Sequence, residues 1–345
     1  MKFLRERTLM ITIAASVIAL LVLPACIEKS QVPPVVEPKD SSEKIIGADI
    51  SFLPQLEKEG VHFSVDGKQD DAINILKAHG FNYIRLRIFN NPTADSGYSK
   101  DGYCGLDETL RMAKRIKAAN MKFLLDFHYS DTWADPGKQF KPEAWKTLSF
   151  SNMTQALHDY TRDVLNALKA QGTLPDMVQV GNEINHGILW PDGAFTNTDN
   201  LAALLKAGIG ATREVSPSIR IMLHIADGGQ NDESRSFVDN MLSRGVQFDI
   251  IGESYYPQWH GTLDELKYNL NDLSKRYNMD VVVAEYTAHK IEVNDIAFTL
   301  PGGNVKGTFI WEPLNTWEYI FDKQGKAIDS LLNIYPAIAK KYSIK

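Results

Sequence analysis

MVQVGNE, residues 177–183, and DVVVAEY, residues 280–286, are two valine-rich runs about a hundred residues apart, and each delivers a glutamate at its polar end. Apolar β-formers this dense read as strands buried on both faces, with the polar terminal residue left outside the packed layers. Six further runs share the pattern: IIGADIS from Ile45, YIRLRIF from Tyr83, KFLLDFH from Lys122, RIMLHIA from Arg220, DIIGESYY from Asp249 and GTFIWEP from Gly307. Between them lie stretches with apolar residues at helical spacing, such as DETLRMAKRIKAAN (107–120), TQALHDYTRDVLNALKAQG (154–172) and TLDELKYNLNDLSKRY (262–277). Strands alternating with helices imply parallel crossovers, and eight of them predict an α/β chain closed into a (β/α)8 TIM barrel. The rival is an open doubly wound sheet, which usually carries a Gly-rich phosphate turn after its first strand. GADISFLPQLE (47–57) has no such turn.

The first 25 residues read as a secretion leader, with a basic start, MKFLRER, and an apolar run, LMITIAASVIALLVL, short for a membrane span. LPAC then places a small residue directly before Cys26, as a bacterial lipobox does, so Cys26 is expected to be lipidated and the protein held at the cell envelope by its N-terminal lipid; an ordinary signal peptide with a chance cysteine is the alternative. Residues 26–44 have no periodicity and contain Val-Pro-Pro, which suits a tether, leaving 45–345 as the barrel. The formal net charge of −6 becomes −8 once the leader is removed, which argues against nucleic acid and favours a neutral polymer as partner. Cys104 is the only other cysteine, so no disulfide is available within a lipidated monomer.

Polar and aromatic residues gather at the carboxyl ends of the runs, where the active face of a barrel lies. Glycosidic cleavage needs a proton for the leaving oxygen and a carboxylate at the anomeric carbon. Glu183 is expected to be the acid and Glu285 the nucleophile. Asn182 is placed to bond a sugar hydroxyl, Tyr255 to donate its phenolic hydrogen to Glu285, and Arg85 to keep Glu285 ionised, holding its pKa low while that of Glu183 stays higher.

GADIS, RLR, DFHYSDTWADP, QVGNEIN, SYYPQW, AEY and FIWEP together resemble glycoside hydrolase family 53, the endo-β-1,4-galactanases of the clan whose acid/base and nucleophile lie at strands four and seven. The resemblance runs from about Gly47 to the final helix, and DFHYSDTWADP is its most specific segment. It implies a retaining double displacement on β-1,4-galactan, the side chain of type I arabinogalactan in pectin, with Glu183 as acid/base, Glu285 as nucleophile and Trp311 as a sugar platform; Trp311 as a core-packing indole is the competing reading. Some relatives bind calcium in a long insertion after the seventh strand. Here only TAHKIEVNDIAFTLPGGNVK (287–306) joins Glu285 to the last strand, so no metal or cofactor is expected.

His128 and His224 are expected to contact sugar or to be hydrogen-bonded strand-end histidines, since nothing in their spacing specifies the three protein ligands of a catalytic zinc. Trp133, with Asp131 and Asp135, reads either as a substrate contact or as a loop held by capping carboxylates. Asp49 touches a distal sugar or orients Arg85. The open cleft of a polymer-cutting enzyme suggests a monomer. Two other functions remain open: the same barrel acting on mannan or glucan, and a lipoprotein that binds glycans without cutting them.

Overall fold

In the computed structural model, which describes residues 43–314 and 319–344, the eight runs form eight parallel strands. They are β1 (Ile45–Asp49), β2 (Tyr83–Ile88), β3 (Lys122–Phe127), β4 (Met177–Val180), β5 (Arg220–Ile225), β6 (Ile250–Tyr255), β7 (Asp280–Tyr286) and β8 (Val305–Trp311). Each pairs with its sequence neighbour, and β8 returns to β1 with Ile45 opposite Gly307. The chain is the expected (β/α)8 barrel. The leader (1–25), Cys26 and most of the tether lie outside the described residues. The tether's last two residues are not loose as expected: Glu43 pairs with Arg220 at 3.0 Å, and the Lys44 ammonium donates to the Tyr342 carbonyl at 2.9 Å.

Strand periodicity sorts the side chains. In β2, Ile84, Leu86 and Ile88 join the cluster between strands and helices, while Tyr83, Arg85 and Arg87 alternate with them. All eight strands contribute to a separate inner cluster, from Ile45 through Leu124 and Met222 to Phe309. Gly47 makes room for that layer, because a Cβ there would fall 2.1 Å from Cδ1 of Phe309. Most of the longer outer helices are amphipathic, and several are capped: Thr262 and Glu265 form a reciprocal capping box at the start of Leu263–Tyr277, and Ser149 caps Phe150–Ala170.

Two departures from regular geometry aim the glutamates. In β7, Glu253 stands opposite Val283 and Ser254 opposite Glu285, so Ala284 is an extra residue, a β-bulge. Val281 and Val283 belong to the outer cluster and Val282 and Ala284 to the inner one. Plain alternation would send Glu285 outward with the valines, and the bulge returns it to the barrel mouth. Strand β4 is shorter than the MVQVGNE run, stopping at Val180; Gly181 (φ 90°) and Glu183 (φ 47°) then turn the chain through left-handed backbone. A non-glycine residue in that region is strained and is held only by its surroundings.

Glu253 faces the helices rather than the barrel mouth, and its Oε1 accepts from Asn269 at 3.3 Å. Burial, with the nearby Asp227 charge second, pushes its carboxyl well above the ordinary value. A carboxyl whose folded pKa is raised stabilises the fold fully below its unfolded value, about 4.3, and that contribution is lost as pH rises towards the folded value. Glu253→Gln keeps an acceptor for Asn269 without the ionisation cost. In urea unfolding, the variant should gain on wild type by ~1 kcal/mol or more between pH 5 and pH 8; a difference independent of pH would contradict the assignment.

Candidate active site

Arg85, 1% exposed, places all five of its N–H donors. Nη1 reaches Asp49 at 3.0 Å and Glu285 at 2.8 Å, Nη2 reaches Asp126 at 2.9 Å and Asn182 at 2.8 Å, and Nε donates to Gln179 at 3.1 Å. One guanidinium therefore ties β1, β3, β4, β7 and the turn after β4 together. Burial opposes its charge, but Asp126, Glu285 and Asp49 outweigh burial and raise its pKa. Arg87, also buried, pairs with Glu312 and lies 4.3 Å from the Trp133 ring centroid and 4.6 Å from that of Phe52.

Glu285 accepts from Arg85 on one oxygen and from the Tyr256 hydroxyl, at 2.9 Å, on the other. Glu183 accepts from the Ser254 hydroxyl at 2.7 Å. Burial raises Glu183, the charge of Glu285 adds to it, and its pKa is pushed up to about 8. The expectation of a low pKa for Glu285 is corrected: burial outweighs Arg85 and raises this carboxyl too. The asymmetry survives, because Glu285 alone has a guanidinium on one of its oxygens. When the pair holds one proton, the proton belongs on Glu183.

Both glutamates line a cleft of about 670 Å³. The walls on the β8, β1 and β3 side include Trp311, Asp49 and Trp133, the two indoles meeting edge to face at 6.4 Å; those on the β5 and β6 side include Asp227, His260 and Trp259, the last 58% exposed. Carboxylates beneath aromatic walls can act on the anomeric carbon of a sugar whose apolar face rests on an indole.

Of the expected site residues, Glu183, Glu285, Asn182, Arg85, Asp49, His128, Trp133 and Trp311 line this cleft. Tyr255 is a correction: its hydroxyl donates to the Gly261 carbonyl at 3.1 Å, and Tyr256 takes the role assigned to it. Along β6, Glu253 and Tyr255 face outward while Ser254 and Tyr256 face the mouth, so a choice between adjacent tyrosines was a choice of strand face. His224 is a second correction. It is fully buried beneath the cleft, its Nδ1 3.0 Å from the Gln179 amide nitrogen and its Nε2 2.8 Å from the Ser254 hydroxyl, so it meets no sugar. His128 reaches the cleft, but its Nδ1 accepts from the Ala134 amide at 3.1 Å and its Nε2 faces Asp126 at 3.0 Å, leaving no ring nitrogen for substrate. Asn182 is bonded to Arg85 and to the Ala134 carbonyl, and Asp49 holds Arg85. Asp131 clamps its loop by accepting from the amides of Asn91 and Glu143.

Sequence reasoning placed Tyr256 and Arg87 among the strand-end residues without giving either a role, and passed over Ser254 and Gln179; inward parity was the available signal for Tyr256 and Ser254. Among the described residues, no group of three or more His, Cys, Asp or Glu side chains is arranged to hold a metal ion. Cys104 is a buried free thiol, pushed up to about 12 by burial.

Residues 45–333 match the model of glycosyl hydrolase family 53. The chain is 35% identical over 302 residues to a probable arabinogalactan endo-β-1,4-galactanase A of Neosartorya fischeri, covering 77% of this chain and 83% of that one. It is 47% identical over 250 residues to an uncharacterized protein in the bgaB 5′ region of Niallia circulans, covering 70% of this chain and 66% of the relative's length. Among solved structures, the family 53 catalytic domain of Ignisphaera aggregans superimposes with a TM-score of 0.80 at 32% identity, covering 86% of this chain and 96% of that domain.

The two tyrosines give a direct test. Tyr256→Phe should lower kcat for glycosidic cleavage by about 10- to 100-fold through loss of a hydrogen bond to a charged group. Tyr255→Phe should stay within about twofold of wild type, since its hydroxyl meets only a loop carbonyl. Steady-state rates on the polymer decide between them, and the reverse order of effects would overturn the assignment.

Proposed function

The chain belongs to glycosyl hydrolase family 53, and from that premise we propose that it is a retaining endo-β-1,4-galactanase acting on the β-1,4-galactan side chains of pectin. The observation that carries the reading is the pair Glu183 and Glu285 in one cleft, with Arg85 and Tyr256 on Glu285 and the Ser254 hydroxyl on Glu183. In the first step a Glu285 oxygen bonds to the anomeric carbon as the bond to the leaving oxygen breaks, and the Glu183 proton passes to that oxygen. In the second, Glu183 takes a proton from water, the water oxygen bonds to the anomeric carbon, and Glu285 leaves as carboxylate. Trp311 and Trp133 on one side of the glutamates, and Trp259 on the other, suit a chain bound on both sides of the scissile bond, as an endo cut requires. No step needs a metal or cofactor, and a monomer suffices because one chain supplies the whole cleft.

We further propose that Cys26 carries the lipid, that residues 27–42 form the tether, and that the barrel works at the cell envelope. The support is the leader and lipobox pattern of the sequence. Mass spectrometry of the membrane fraction should find a mature chain starting at an acylated Cys26; an unmodified start elsewhere would refute the anchor.

The activity is tested with the domain from Ser41 on unbranched β-1,4-galactan, with mannan and cellulose alongside. Wild type should release short galacto-oligosaccharides from galactan alone, and Glu183→Gln and Glu285→Gln should each lose about 10³-fold or more. Glu183 must be protonated, so kcat/KM should fall as pH rises through about 8; Glu285 must be ionised, so activity should also fall towards acid pH. Cleavage of mannan or cellulose instead would replace the substrate, and binding of galactan without cleavage would favour a glycan-binding protein.

A further inference from the structure

Just outside the cleft, the loop after β3 carries an aromatic ring that the fold does not bury. Phe140 is 56% exposed, as open to solvent as Trp259 in the cleft wall. One exposed ring is ordinary on a protein surface, but the setting of this one is not. Lys138 and Phe140 are bridge residues on either side of Gln139, and the buried Gln139 side chain points inward, donating to the Asn182 carbonyl at 2.9 Å. Side chains alternate along an extended chain, so Lys138 and Phe140 share the opposite, outer face, and Lys138 lines the cleft. Phe140 is bridged in parallel to Trp190, in the turn of the short hairpin after β4 that pairs Gly187–Ile188 with Gly193–Ala194. The Trp190 amide donates to the Gln139 carbonyl at 2.7 Å, and bridge partners send their side chains to the same face. The half-buried indole is held by its own donor: Nε1 reaches the His186 carbonyl at 2.9 Å, and His186 Nδ1 lies 2.9 Å from the Pro136 carbonyl. Both His186 and Pro136 line the cleft.

We propose that Phe140 and Trp190 form an aromatic rim that binds the β-1,4-galactan chain where it leaves the cleft past His186 and Pro136. The occupant follows from continuity with the cleft. A polymer cut internally is longer than the site and must run out over its edge. Lys138, on the same face as Phe140, and His186, bonded to Trp190, carry the cleft wall up to the two rings. Galactose suits such a surface, because its axial O4 leaves the C–H bonds of C3, C4 and C5 together on one face, which can rest on a ring. The charges at the rim favour a neutral chain over the acidic backbone of pectin: Lys138 is paired with Asp135 at 3.1 Å and Lys141 with Asp192, so neither cation is free for a polyanion. Gln139 fixes the backbone under the rim and Asp131 clamps the loop, so the ring is presented with little ordering cost on binding. A contact this far out holds the chain equally before and during reaction, and therefore acts on KM rather than on kcat.

The rim rests on the proposed galactanase reading, and the measurements separate the two. Phe140→Ala removes an exposed ring from a backbone held by other groups, and its kinetics are compared with wild type on long unbranched galactan and on galactotetraose. On the polymer, KM should rise about 5-fold, the loss expected for one stacking contact, and the rise should be at least about threefold larger than on galactotetraose. Phe140→Tyr, which keeps the ring, should restore the polymer KM. If wild type cuts galactan and Phe140→Ala changes KM equally on both substrates, or on neither, the rim is overturned and the activity stands. Binding is followed separately by electrophoresis in gels containing galactan, where Phe140→Ala should be retarded less than wild type. That result without any cleavage by wild type would support the rim and remove the hydrolase reading, whereas a wild type that galactan does not retard would overturn the rim. Sedimentation velocity covers the remaining occupant: a dimer that Phe140→Ala dissociates, with galactan retardation unchanged, would assign this face to a second copy of the chain and overturn the proposal.

Discussion

The structure depends on one buried cation. Arg85 sits among Asp49, Asp126 and Glu285 with its remaining donors on Asn182 and Gln179, so five groups from β1, β3, β4, β7 and the turn after β4 converge on a single guanidinium. Removing one partner from such a cluster costs about 3–5 kcal/mol, because the charge left behind stays buried. The same constraint holds the bulge of β7 in place: Glu285 is drawn inward to the guanidinium, and Ala284 takes up the extra residue. Substrate chemistry and barrel closure therefore share one set of contacts at the mouth.

The division of labour between the glutamates is a matter of what faces each. Burial penalises both charges, and the site separates them by giving Glu285 the Arg85 cation and a phenol while Glu183 receives the neutral Ser254 hydroxyl. A pair with one proton then has a single favoured arrangement before any sugar enters. Arg87 and Glu312 extend the design one layer outward, with Arg87 held against Trp133 and Phe52, so that the charged floor and the aromatic wall position one another.

The barrel was legible because each of its eight strands is an apolar run with a polar end, and because helical periodicity fills the gaps. That Glu183 and Glu285 share one cleft was legible from their place at two of those ends. The sequence could not show how the glutamates reach the mouth: the regular alternation of DVVVAEY points Glu285 away from it, and only the bulge, set by pairing with β6 and β8, reverses that. Tyr255 and Tyr256 differ only in strand parity, which a sequence fixes once one inward residue of β6 is known; Ser254, bonded to Glu183, is that residue. His224 carries the same polar signal as a ligand-binding histidine, and only the fold shows that Gln179 and Asn182 meet one of its nitrogens and Ser254 the other. Loop residues such as Asp131 and Gln139 hold backbone far from them in sequence, and no local pattern encodes such partners.

The central claim is that Glu285 attacks while Glu183 holds the proton. It is tested most directly by trapping the intermediate with a 2-deoxy-2-fluoro galactobioside bearing a good leaving group, followed by peptide mass spectrometry. The account predicts a one-to-one adduct on the peptide containing Glu285, with Glu183 unmodified. Labelling of Glu183, or turnover to the inverted anomer without any adduct, would contradict it.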